Sequence, residues 1–155
     1  MRTIGLDIGR KIIGVAISDP TGMVAQGYGR ILRKSKRQAI EELKAIIHET
    51  QAQRVVVGLP KNMDGTLGEA ARDVLRFCEE VKKEISASVE TWDERLSTVA
   101  AERAMLEADV SRQKRKRKLD QMAATLILQS YLDYVHCADY LAKGETGHVD
   151  QGEIV

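Results

Sequence analysis

The sequence predicts one α/β domain with a five-stranded mixed sheet, made of a three-strand antiparallel meander plus two parallel strands, and with helices on both faces. Short β-branched apolar runs occur at residues 3–9, 12–18 and 54–59, where they predict strands. After residue 35 the apolar spacing changes to the helical period, and strands then alternate with helices. We expect residues 1–142 to form the domain and residues 143–155 to form a flexible tail, because the tail is polar and lacks periodicity.

The meander follows from turn residues between the first three apolar runs. Residues 9–11 (GRK) are short enough for a hairpin, and residues 19–22 (DPTG) are a strong turn signal. Residues 23–32 are a weaker strand, thinned by Gly27 and Gly29. The third strand is therefore expected at the outside of the meander, and the first strand near the centre of the sheet.

The second half contains two parallel strands and several helices. Ser35 with Gln38, and Thr66 with Glu69, have the spacing of capping boxes, and each pair precedes a helical apolar stripe. The strand at 54–59 ends at Pro60, and a last strand is expected at 88–92. Further helices are predicted at about 97–108 and 119–140, on either side of a basic run at 112–118. Parallel crossovers of this kind cover both faces of a sheet and would place the 54–59 strand beside the first strand.

Composition excludes several classes of protein. The chain is 43% hydrophobic and 30% charged, as expected of a globular domain, and only 4% aromatic, which argues against a base-stacking face. No apolar stretch spans a bilayer and no secretory signal is visible, so we expect a cytoplasmic protein without a membrane partner. Cys78 and Cys137 are isolated, and we expect both to be reduced and buried.

The net charge of +1 conceals two basic segments. Residues 30–37 and 112–118 hold eleven of the 24 Lys and Arg and no acid, so the other 13 face all 23 Asp and Glu, a balance of −10. Such segments bind polyanions by releasing counterions, although a solvated surface run is the alternative. We favour contact with nucleic acid, and expect the denser segment to be a loop, because unpaired like charges repel along a helix.

Three acidic positions occur at predicted element ends: Asp7 near the carboxyl end of the first strand, the pair Asp93 and Glu94 directly after the last strand, and Asp120 in the first turn of the final helix. Each has an ordinary structural explanation: a turn cap for Asp7, a salt bridge with Arg95 or a loop cap for Glu94, and a helix-dipole contact for Asp120. If three carboxylates converge, they need a cation, and Mg²⁺ or Mn²⁺ suits oxygen ligands. Two such ions about 4 Å apart would clamp the oxygens of a phosphodiester.

Four segments together resemble the YqgF (RuvX) family, in the family's order over about residues 4–135: GLDIG–KIIGVAISDP, VVVGLPKNMDGT, WDERLST and KRKLDQMAATLILQSYL. The resemblance implies a ribonuclease-H-like fold related to the RuvC Holliday-junction resolvases. It also implies a bacterial nuclease that matures the 5′ end of pre-16S rRNA, with resolution of branched DNA as an alternative activity.

The resemblance also assigns residues. Asp7, Glu94 and Asp120 match the family's acids, with Asp93 and Arg95 in the same DER motif. The family also has a glycine-proline loop that borders its active site, and this loop is matched by Gly58, Asn62, Asp64, Gly65 and Thr66. The basic RQKRKRK before Asp120 departs from the pattern.

The expected activity is therefore two-metal hydrolysis of a phosphodiester. Asp7, Glu94 and Asp120 would be the catalytic and metal-binding residues, with Mg²⁺ or Mn²⁺ activating water. Contacts to the nucleic-acid backbone are expected from Arg10, Lys11, Lys114, Arg115, Lys116, Arg117 and Lys118. The expected partners are pre-rRNA or branched DNA, and ribosomal particles. The competing hypotheses are a non-catalytic ribosome-assembly module, which needs the basic segments alone, and a phosphate-transferring domain of the sugar kinase and actin type.

Overall fold

The computed structural model describes residues 1–97 and 112–154, and for 112–120 and 144–154 it describes the helical backbone alone. The elements, in chain order, are β1 (Thr3–Ile8), β2 (Ile12–Ser18), β3 (Ala25–Leu32), α1 (Lys36–Thr50), β4 (Arg54–Leu59), α2 (Glu69–Lys82), β5 (Ser88–Asp93), a 3₁₀ turn (Glu94–Leu96) and α3 (Arg112–Ile154).

The sheet has the order β3-β2-β1-β4-β5, which confirms the mixed sheet expected from the sequence. β1 pairs antiparallel with β2, and β2 with β3, whereas β1–β4 and β4–β5 are parallel. The hairpin between β1 and β2 closes through a 2.9 Å bond from the Gly9 amide to the Ile12 carbonyl. β1 is therefore central, and its carboxyl end lies beside that of β4.

Side chains alternate between two cores, one on each face of the sheet. On one face Ile4, Leu6, Val55 and Val57 pack with α1 and α2. On the other face α3 covers a smaller core that includes Ala16, Val56, Ala124, Ile127 and Leu128. Burial of each Val, Leu or Ile side chain in these cores stabilises the fold by roughly 1.5–3 kcal/mol. Helices on both faces are thus confirmed.

Glycine allows α3 to lie directly on β1. A Cβ at Gly5 would lie 2.7 Å from Leu128 Cβ and 3.1 Å from the Ala124 carbonyl, so a larger residue would push the helix away. Farther along α3, the Tyr131 hydroxyl accepts a 2.7 Å bond from Arg54 at the start of β4 and donates a 2.7 Å bond to Glu90 on β5. α3 therefore runs antiparallel to β1, from the carboxyl end of the strand toward its amino end.

Trp92 joins β5 to the same helix. Its indole nitrogen donates to Ser130 Oγ at 3.0 Å, and its ring meets Tyr131 edge-on with centroids 5.5 Å apart. Trp92 therefore closes the edge of the core under α3.

The turn before β3 is organised by Asp19. Its carboxylate accepts bonds from the Thr21 hydroxyl and from the amides of Met23 and Val24, the last two at 2.8 and 3.0 Å. These bonds, chiefly that from Thr21, lower the pKa of Asp19 to about 2.

Three local predictions were wrong. Gly68, without a side-chain cap, precedes α2, whereas the Thr66 hydroxyl bonds Asp64 at 2.6 Å because residues 62–66 form a closed turn of their own. Cys137 is exposed, whereas Cys78 is buried as expected. The basic run at 112–118 is helical and not a loop, because Arg, Lys and Gln are strong helix formers and each like-charge pair costs only about 0.2–0.5 kcal/mol.

α3 also continues past residue 140, where we expected the last helix to end, to Ile154. The division at residue 142 between domain and flexible tail stays a prediction. The helix predicted at 97–108 lies largely outside the described residues. No helix in the described part of the chain combines the length and apolarity needed to cross a bilayer.

Candidate active site at the carboxyl ends of β1 and β4

Asp7 occupies an unusual position in the centre of the sheet. It is 8% exposed, the one acidic or basic side chain buried among those the structure describes. Because residues two apart share a face of a strand, Asp7 lies on the same face as Gly5, under α3. Its antiparallel partner is Gly14. On the other side Leu6 pairs with Val57, so the next position along β4 is Gly58. Two glycines therefore flank Asp7 on the neighbouring strands.

Glu94 lies beside Gly58, one of these two glycines. It begins the 3₁₀ turn directly after β5, and its Oε1 lies 3.0 Å from where a Cβ at Gly58 would be. Adjacent strands lie roughly 4.8 Å apart, so Asp7 and Glu94 both border the face of Gly58. The structure thus brings these two predicted residues together, although they are 87 positions apart in the sequence.

Asp93 has a different partner. Arg95 donates to both Asp93 carboxylate oxygens, at 2.7–3.1 Å, and its amide donates a further 2.9 Å bond. The side-chain bonds from Arg95, with its backbone bond and charge, lower the pKa of Asp93. The salt bridge of Arg95 is therefore with Asp93 and not with Glu94, the partner considered from the sequence.

Arg95 also holds the loop after β4 against this edge. Its Nη1 lies 3.3 Å from the Met63 carbonyl and 3.5 Å from that of Asn62. The loop itself turns at Gly65, which has a φ of 87°, a conformation that favours glycine. The Thr66 hydroxyl and amide bonds lower the pKa of Asp64 in the same turn. The loop that contains Asn62, Asp64, Gly65 and Thr66 therefore borders the candidate site.

Asp120 belongs to α3, whose backbone is described at this position but whose side chain is not. Position 120 lies one turn before Ala124, which covers Gly5, and seven residues before Ile127, which covers Gly58. The helical turn from position 120 to Ala124 spans about 5.4 Å, which is close to the roughly 6.6 Å between residues two apart on a strand, such as Gly5 and Asp7. Because α3 runs antiparallel to β1, its backbone at 120 comes to about the level of Asp7. Among the side chains that are described, no three His, Cys, Asp or Glu form a group able to hold a metal.

The basic segments differ in their surroundings. Arg10 and Lys11 are exposed in the hairpin turn that follows Asp7. Residues Lys114 to Lys118 lie in α3, and their side chains are outside the described set.

In the other segment three cations have acidic partners: Arg33 with Asp73 at 3.2 Å, Lys36 with Glu80 at 3.9 Å, and Arg37 with Glu41 and Glu84. Much of the charge of residues 30–37 is therefore compensated within the protein, and contact of this segment with nucleic acid stays a prediction.

Gly14 lies opposite Asp7 in the pairing of β1 with β2, a position that the sequence did not single out. In the sequence Gly14 is only a glycine inside an apolar run, and its place beside Asp7 depends on the strand register.

Comparison with solved structures defines the fold class. RuvC of Thermus thermophilus in complex with a Holliday junction substrate matches with a TM-score of 0.55 and 14% identity, over 88% of this chain and 96% of that one. The fowlpox virus resolvase in complex with Holliday junction DNA matches with a TM-score of 0.54 and 10% identity, over 87% and 99%. The fold is ribonuclease-H-like, as the resemblance implied.

Sequence comparison gives the family. The model described as "RuvX: Holliday junction resolvase" matches residues 1–134. A protein of Clostridioides difficile (strain 630) named "Putative pre-16S rRNA nuclease" is 61% identical over 86% of this chain and 94% of its own length. A Clostridium kluyveri protein of the same name is 56% identical over 87% and 98%. The chain belongs to the RuvX family, and it is a nuclease that acts on nucleic acid.

Proposed function

We propose that the chain is a divalent-metal-dependent nuclease of the two-metal type, which holds Mg²⁺ or Mn²⁺ with Asp7, Glu94 and Asp120. The observation that supports this most is the arrangement of Asp7 and Glu94 around Gly58. Two carboxylates at one site repel each other, and a cation bound between them relieves that repulsion. Hard divalent cations take oxygen ligands of this kind, so the donor set fits them. The level of position 120 on α3 is consistent with a third oxygen donor at the same edge.

Divalent ions bound there would activate a water molecule and neutralise charge on the leaving oxygen. The protein supplies the positions. Asp7 is fixed by hydrogen bonding of β1 on both sides, and Glu94 by the 3₁₀ turn. The absence of a side chain at Gly58 lets Ile127 and Glu94 approach β4 closely.

The exposed Arg10 and Lys11 would contact the backbone next to the cleaved bond, and Lys114 to Lys118 would contact it farther along. Phosphate contacts of this kind fix the position of a nucleic acid without selecting a base. Such contacts suit a substrate recognised chiefly by its shape and its ends.

We propose precursor 16S rRNA, cleaved at its 5′ end in the cytoplasm and in the context of ribosomal particles, as the substrate. The support is the name shared by relatives at 54–61% identity along nearly their whole length. The alternative is cleavage of branched DNA, which the description of the family model favours. A ribosome-assembly module without catalysis would need the basic residues and not the buried carboxylate.

The test is cleavage of a 5′ precursor rRNA fragment beside a four-way DNA junction, each with Mg²⁺ and with EDTA. We expect Mg²⁺-dependent cleavage of the RNA, and its loss in Asp7→Asn with an unchanged circular dichroism spectrum. Asp133→Asn, an exposed change on α3 far from this edge, is the control and should keep full activity.

Full activity of Asp7→Asn would refute the metal-site assignment. Cleavage of the junction alone would favour the DNA alternative. Tight binding of the RNA by the wild type without any cleavage would favour the assembly module.

A further inference from the structure

A polar groove with a volume of about 600 Å³ opens at the carboxyl end of β1, on the face opposite the candidate active site. Ile8 forms part of its wall, whereas Asp7 faces the other side because successive strand residues alternate. The groove lies between the hairpin turn that carries Arg10 and the first two turns of α2. Only the β1–β2 turn separates it from the carboxylate edge.

Arg33 makes the wall of this groove rigid. Its Nη1 donates to the Gly9 carbonyl at 2.8 Å and to Asp73 at 3.2 Å, and its guanidinium lies 5.4 Å from the ring centre of Phe77. The side chain is 16% exposed. Arg33 therefore ties the hairpin turn to α2, and its charge is matched by that of Asp73.

The remaining charges in the groove are mostly positive. Arg10, Lys36 and Arg76 line it, and Glu69 is the remaining acid. Lys36 has a distant partner in Glu80, at 3.9 Å, while Arg10 and Arg76 form no ion pair with any residue described here. α2 begins at the groove with no side-chain cap, so the partial positive charge of its first turn adds to the field.

We infer that this groove binds a backbone phosphate of the same nucleic-acid strand that is cleaved at the carboxylate edge, an inference that rests on the proposed function. A guanidinium offers planar paired donors that match phosphate oxygens. The strand would pass over the exposed Arg10 and Lys11 between the two sites. A phosphate held on this face would fix where the strand crosses the carboxylates, and so which bond is cut.

The experiment measures binding of a labelled single-stranded precursor rRNA fragment, without cleavage, in EDTA at several KCl concentrations. Arg76→Gln should lower the slope of log K against log salt by about 0.7, and weaken binding about fivefold at 0.1 M salt, as expected for one lost phosphate contact. Arg72→Gln is the matched control, since Arg72 is exposed on the same helix but does not line the groove. Glu69→Gln should have the opposite sign and tighten binding.

Three outcomes would overturn the inference: an Arg76→Gln variant that binds like the wild type, a Glu69→Gln variant that binds no more tightly, or complete displacement of the RNA by millimolar inorganic phosphate. The last would identify a site for free phosphate. The nuclease proposal is judged separately by Mg²⁺-dependent cleavage. A wild type that fails to cleave but shows the Arg76 effect would leave the groove standing and refute the nuclease.

Discussion

Replacing Gly58 by alanine tests whether stability and cleavage depend on the close approach of Ile127 and Glu94 to β4. The added Cβ would lie 2.5 Å from Ile127 Cδ1, and 3.0 and 3.2 Å from Oε1 and Cγ of Glu94. Ile127 is fully buried, so it cannot move without disturbing the core under α3. Overpacking of this kind costs about 1–3 kcal/mol, and 2 kcal/mol would lower the Tm of a domain this size by about 4–8 °C.

The same substitution should displace the Glu94 carboxylate by a few tenths of an ångström or more. Altered orientation of a metal ligand typically costs about 10- to 100-fold in metal affinity or activity. We therefore expect Gly58→Ala to cleave more slowly and to require more Mg²⁺. The assays are thermal unfolding followed by circular dichroism, and a Mg²⁺ titration of the cleavage rate.

Two further variants separate the effects. Gly29→Ala is the control, because a Cβ there meets nothing within 4 Å, and it should leave stability and cleavage unchanged. Adding Ile127→Val to Gly58→Ala removes the Cδ1 atom, so stability should recover in part while the Mg²⁺ requirement stays raised. A Gly58→Ala protein with the Tm and Mg²⁺ dependence of Gly29→Ala would refute the reasoning.

Three other changes have defined outcomes. Asp19 has a pKa of about 2 in the folded protein, below its ordinary value of 3.8, so the ionised carboxylate stabilises the fold above pH 4 and this contribution is lost as the pH falls toward 2. In urea unfolding between pH 4 and 2, the free energy of unfolding of Asp19→Asn should therefore depend less steeply on pH than that of the wild type. An identical pH dependence in the two proteins would contradict this. Burial raises the pKa of the Cys78 thiol to about 11, so iodoacetamide at pH 8 should modify Cys137 first, as peptide mass spectrometry would show. Tyr131→Phe removes the hydroxyl between β4 and β5 and should cost about 1.5 kcal/mol in urea unfolding, whereas an unchanged midpoint would show that the bridge contributes nothing.

Much of the architecture could be predicted because each strand is signalled locally. The β-branched runs of β1, β2 and β4 and the turns between them indicate the pairing directly, and the Ser35 cap was confirmed by a 3.1 Å bond from the Gln38 amide. The two acids that border Gly58 were selected by their positions at strand ends and by the family resemblance.

The ion pairs of residues 30–37 could not be predicted from the sequence, because most of the partners are distant along the chain. The acids that compensate Arg33, Lys36 and Arg37 include Asp73 and Glu80 on α2 and Glu84 just after it, all at least 40 residues away in the sequence. Only the pair of Arg37 with Glu41, four residues apart on α1, is indicated by the local sequence. The position of Gly14 opposite Asp7 likewise appears only when the register is known, because a glycine in a strand by itself has several explanations.

The chain carries a single tryptophan, and its position makes it a natural optical probe. Trp92 is two residues before Glu94 and is wedged against α3 by its bond to Ser130 and by its contacts with Tyr131 and Tyr134. If α3 lifts from the sheet, the indole loses those neighbours and enters water, and its fluorescence emission should shift to longer wavelength. Intrinsic fluorescence can therefore follow the attachment of the last helix in the unlabelled protein.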